Sequence, residues 1–209
     1  MPYEAARLLA YQSYQQWISI EFLSFNYFVI MGMVAITYTI WLKLVDTSRL
    51  IKILLLGSLC AVGFLIADII LIAYFGVAEY KIAPLPVEPP IFIVSVTKAP
   101  ILYMLVYQYT SSWKSYALWA SIGTAVLSFG LFPLYSLLGI FRLHHWNYFY
   151  QFLLMFTGGI IARGLLLWII SIEQSSSESS QVSSMFLGLQ PVATKPLDND
   201  KEDIINNDD

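Results

Sequence analysis

Residues 50–75 read LIKILLLGSLCAVGFLIADIILIAYF, twenty-six positions in which Lys52 and Asp68 are the only charges. At about 1.5 Å per residue a helix of this length exceeds the ~30 Å hydrocarbon core of a bilayer. Lipid offers the backbone no hydrogen-bond partners, so such a run must satisfy itself as a helix. Four comparable runs occur, at about 24–42, 90–109, 116–140 and 148–172. They are continuous, unlike the ~10-residue alternating segments of a β-barrel. The expectation is an all-α, polytopic integral membrane bundle with five transmembrane helices.

The 209-residue composition agrees: 58% of residues are hydrophobic and 12% charged, about half the charge of a soluble domain. The mean hydropathy is +0.67. The net charge of −3 is uneven, because residues 174–209 hold seven acids against Lys195 and Lys201. No basic stripe points to nucleic acid. Cys60, the single cysteine, excludes an intrachain disulfide and a cysteine metal cluster. No cofactor is expected.

Residues 1–22 form the amino-terminal segment. Its part from about residue 5 reads as a helix lying in the membrane interface, with Tyr11, Tyr14, Trp17 and Ile18 at helical spacing. The alternative is a helix packed on the bundle. The first long apolar run ends at Lys43 rather than at a small-residue cleavage site, so it is expected to remain as an anchor. The loop at 76–89, with Pro84, Pro86 and Pro89 in the string APLPVEPP, is expected to be stiff and extended. From 173 to 209 the Ser-rich, acidic sequence predicts a disordered tail with an apolar island at 185–189. No internal repeat is visible, which weighs against an inverted-repeat transporter.

Basic residues set the orientation. Lys43, Arg49, Lys52 and Lys114 flank the first and third connections, whereas Arg7, Lys81 and Arg142 lie on the other side. The positive-inside rule then places the N-terminus outside and the C-terminus in the cytoplasm. Because Arg163 interrupts the fifth run, a four-span arrangement is the alternative.

Charges inside membrane runs are the functional candidates. Asp68 and Lys98 fall at matching depths on adjacent antiparallel helices, which predicts an Asp68–Lys98 ion pair. Such a pair would lock helices in register, or serve as a proton or cation relay. Arg163 is expected to snorkel toward the headgroups or to meet helix-end carbonyls. Gly158 and Ala162, at small-xxx-small spacing, would let helices approach closely. Gln108 could line a polar cavity or reach the headgroups. His144 and His145 could join Glu79 or Glu88 at a metal, but no ligand-spacing motif supports this. A place beside the interfacial Trp146, Tyr148 and Tyr150 is the simpler expectation. No nucleophile-elbow, zinc-protease, P-loop or dinucleotide motif is present, so no enzyme is expected.

The strings WLKLVDTSRLIKILLLGSL, AEYKIAPLPVEPP, PILYMLVYQYTSSWKSY, FPLYSLLGIF and HHWNYFYQF resemble a family of small uncharacterised membrane proteins of endospore-forming Gram-positive bacteria. The likeness spans about residues 25–172. It implies a five-pass protein of the bacterial cell membrane and no catalytic residues. Two features depart from the family pattern: Lys98, where an acidic or neutral residue would be expected, and the long acidic tail. These readings converge on a non-enzymatic component that assembles with itself or with other membrane proteins. The rival is a small-solute or ion carrier using Asp68, Lys98 and Arg163. A lipid-acting enzyme is a distant third.

Overall fold

A computed structural model describes residues 2–82 and 94–188. The architecture is helical: α1 (Pro2–Gln16), α2 (Phe25–Leu44), α3 (Leu50–Asp68), α4 (Ala99–Tyr109), α5 (Trp113–Ala125), α6 (Phe132–Leu137) and α7 (Tyr148–Gly188). Wider π-helical turns at Trp17–Glu21, Ile69–Tyr74, Val94–Lys98 and Val126–Leu131 extend or join several of them. Four stretches are long and apolar enough to cross a membrane: Phe25–Leu44, Thr47–Ile72, Trp113–Leu137 and Tyr148–Ser175. The predicted run at 90–109 is helical over 94–109, and its first residues lie outside the described ones.

Local sequence explains where the helices start and change pitch. Ser24 caps α2 by accepting a hydrogen bond from the Tyr27 amide, and Ser112 caps α5 by accepting from Ser115. The Asn147 side chain accepts from the Tyr150 amide at the start of α7. Two π turns precede prolines: Val94–Lys98 comes before Pro100, and Val126–Leu131 before Pro133. Proline supplies no amide hydrogen to the preceding turn, so the ladder widens there without breaking the span.

One compact unit ends at Trp168 and a second begins at Ile169. In the first, the large buried side chains are notably tyrosines: Tyr103, Tyr116 and Tyr135 are almost fully enclosed, with Ile30, Leu56, Phe132 and Leu166. The apolar side chains left exposed, such as Ile51, Val62, Ile66 and Trp168, suit a lipid environment better than water.

Three features depart from the sequence expectations. Ala78–Tyr80 (β1) pairs antiparallel with Phe141–Leu143 (β2), with Glu79 opposite Arg142. This ribbon clasps two connections that the hydropathy pattern reads only as loops. Next, the last helix does not stop near residue 172 but continues to Gly188. Between 173 and 187 the sequence contains neither proline nor glycine, so nothing in it breaks the helix. The helix is described to residue 188, and residues 189–209 lie outside the described ones, as does the whole APLPVEPP string. Lastly, Leu23 takes a left-handed φ of 62° in the short turn between Glu21 and α2. α1 and the π turn after it have no buried residue among those whose side chains are described. The packed-on-bundle alternative finds no support in that exposure.

Candidate functional site

The end of the bundle carrying the α2–α3 connection is held by Gln108. Its side-chain amide donates to the Leu44 carbonyl at 2.6 Å, and its side-chain oxygen accepts from the Asp46 amide at 2.8 Å. The first bond satisfies a carbonyl that the end of α2 leaves open. Arg49 donates to the Gln108 backbone carbonyl at 3.1 Å and to Asp46 Oδ2 at 3.0 Å. Asp46 also accepts from the Ser48 amide and hydroxyl. The Ser48 hydroxyl, then the Arg49 guanidinium, hold the Asp46 carboxyl below its ordinary range. Gln108 therefore clamps a loop rather than lining a cavity or reaching the headgroups. The LVD and YQY strings are the two sides of this contact.

A second polar layer runs through the core. The Tyr103 hydroxyl donates to the Met155 carbonyl at 2.6 Å and lies 2.9 Å from Thr124 Oγ1. Tyr116 donates to the Gly159 carbonyl at 3.0 Å. One end of α7's Gly-Gly pair thus meets two tyrosines: the Tyr103 ring occupies the space a Cβ on Gly159 would need. The Phe64 ring does the same at Gly158. Where the small-residue spacing led to the expectation of close helix backbones, aromatic rings are what meet these two glycines.

Arg163 joins this layer. It is 4% exposed, donates to the Ser112 carbonyl at 3.1 Å, and its guanidinium lies 4.8 and 4.4 Å from the Trp113 and Tyr116 ring centres. The acceptor is the carbonyl of the α5 N-cap, which also takes the Tyr116 amide. Aromatic faces shield the charge from lipid.

The expected Asp68–Lys98 ion pair does not form. Asp68 accepts a hydrogen bond from the Ser95 hydroxyl. Lys98 instead places Nζ 3.8 Å from Met33 Sδ and 4.5 Å from the centre of the Tyr135 ring. The reason is register. Gly57 of α3 faces Met104 and Asp68 faces Ser95, so Lys98 sits about one turn below the carboxylate. Matching depths by counting from apolar ends missed the offset, because the facing segments there include π turns and proline. Asp68, Lys98 and Arg163 do not converge on a common pocket.

At the ribbon end, His144 Nε2 lies 3.3 Å from Glu79 Oε2, both partly exposed. His145 is exposed and outside this pair. Among the described residues, no three His, Cys, Asp or Glu side chains gather where they could hold a metal. Glu88 lies outside those residues.

No family model, curated protein or solved structure matches the chain.

The remaining feature is an apolar groove of about 280 Å³ between α3 and α7. Leu59, Gly63 and Phe64 line one side, and Gly158, Ile161 and Leu165 the other. Sequence reading singled out Gly158 but had no means of pairing it with Gly63, since no periodicity specifies which helices are neighbours.

Proposed function

We propose that this protein is a non-enzymatic, multi-pass component of a bacterial cell membrane that assembles with itself or with other membrane proteins. The observation that carries the reading is the separate fate of the three intramembrane charges. Asp68 bonds Ser95, Arg163 bonds Ser112, and Lys98 rests against Tyr135 and Met33. A carrier needs ionisable groups that share a solute path, whereas each of these is directed into its own contact between helices. The apolar groove between α3 and α7 supports assembly, because small residues allow a partner helix to approach closely.

In this reading the 94–109 helix completes a fifth span. The N-terminus is outside and the C-terminus cytoplasmic, as the basic residues at the α2–α3 and α4–α5 connections favour. The resemblance to membrane proteins of endospore-forming bacteria adds the setting.

Site-specific photo-crosslinking in native membranes tests the assembly. A crosslinker at Ile161, on the groove, should give protein adducts of discrete mass. One at the exposed Ile70, off the groove, should give none. Absence of adducts from Ile161, together with a monomer in native-lipid discs, would overturn the reading. So would solute uptake in proteoliposomes that is lost in Asp68→Asn.

A further inference from the structure

Lys98 is a buried charge that the described residues leave without an opposite charge. It is 6% exposed, and the ion pair found among them is Arg49–Asp46. Its ammonium reaches the Tyr135 ring, two residues from the end of the Trp113–Leu137 span. The long side chain therefore climbs from within its helix toward the ribbon end of the bundle. Tyr135 is 1% exposed, and its hydroxyl has no hydrogen-bond partner. The ring that lies against the ammonium thus also carries an unused donor. Phe141 of the ribbon packs on Phe132, three residues before Tyr135, with ring centres 5.2 Å apart. The surroundings at this end of the bundle are thus aromatic.

An ammonium has only hydrogens to offer, and a buried hydroxyl without a partner can donate as well. A thioether and a ring face satisfy such groups weakly. What completes them is negative and accepts hydrogen bonds. The end of a span is also the level at which phosphodiesters lie, and basic pockets between spans take up anionic headgroups there.

We propose that Lys98 and the Tyr135 hydroxyl form a binding site for a singly charged phosphodiester. The source is either the headgroup of an anionic lipid or a soluble phosphodiester.

Thermal unfolding of the whole protein tests this. One arm compares discs of phosphatidylcholine with discs containing added phosphatidylglycerol. The other titrates dimethyl phosphate into detergent-solubilised protein. Wild type should be stabilised saturably in at least one arm. Stabilisation in the lipid arm alone identifies a headgroup, and stabilisation in the dimethyl phosphate arm identifies a soluble ligand. Lys98→Met should lose the effect and Lys98→Arg should keep it. Tyr135→Phe retains the ring and should weaken apparent affinity about tenfold, as for one lost charge-assisted hydrogen bond. Equal stabilisation of wild type and Lys98→Met would overturn the proposal, as would no stabilisation of wild type in either arm. If Lys98→Met fails to fold, Tyr135→Phe decides: unchanged affinity would sink the site.

Discussion

The ring of Tyr103 lies where a side chain on Gly159 would have to go, while its hydroxyl bonds the Met155 carbonyl one turn earlier on α7. Contact and hydrogen bond together fix α4 against α7. Gly159→Ala should therefore destabilise the protein by about 1–3 kcal/mol, the usual cost of overpacking. Tyr103→Phe keeps the ring and should cost about 1 kcal/mol. The glycine change should prove the more damaging in unfolding from bicelles.

Gln108 answers both a free carbonyl and a free amide in the α2–α3 connection. Gln108→Leu is nearly the same size but leaves both unanswered, at an expected cost of about 1–3 kcal/mol. Gln108→Glu retains an acceptor for the Asp46 amide and loses the donor to Leu44. Hydrogen exchange should show faster opening at Asp46 in both variants, and more so in the leucine variant.

Asp68 and Lys98 occupy different contacts, so they should behave independently. Asp68→Asn and Lys98→Gln are expected to have effects that add within about 0.5 kcal/mol in the double variant. Rescue of either change by the other would show that the two charges are paired after all.

Asp46 gives the α2–α3 connection a pH dependence of known sign. Its carboxyl is held below the ordinary range when folded, chiefly by Ser48. The contribution is therefore complete above the unfolded value of about 4 and is lost as pH falls through the lower folded value. Exchange at the Ser48 amide should accelerate on acidification below about pH 4. In Asp46→Asn that acid-dependent component should be absent.

Hydropathy made the helical class legible, since runs such as 50–75 have no other stable form in lipid. It also marked Arg163 and Gly158 as positions of interest. It could not pair elements. That Gln108 serves Leu44, that Arg163 serves Ser112, and that Asp68 meets Ser95 rather than Lys98 are facts of three-dimensional register. A local widening of the helix changes such register with only indirect signs in the sequence. Pro100 and Pro133 were such signs, each just past a π turn. Ala78–Tyr80 and Phe141–Leu143 are three residues each, too short for an alternating pattern to show.

The ribbon constrains the order in which the chain can mature. Ala78 pairs with Leu143, and the helices from Val94 to Leu137 lie between them in sequence. A polypeptide threading into a bilayer from its amino end cannot fasten that clasp until this whole intervening stretch has been synthesised and its ends brought back together. The Glu79–His144 contact beside it cannot form before then, and a marker placed there would time the closing of this stretch rather than the start of insertion.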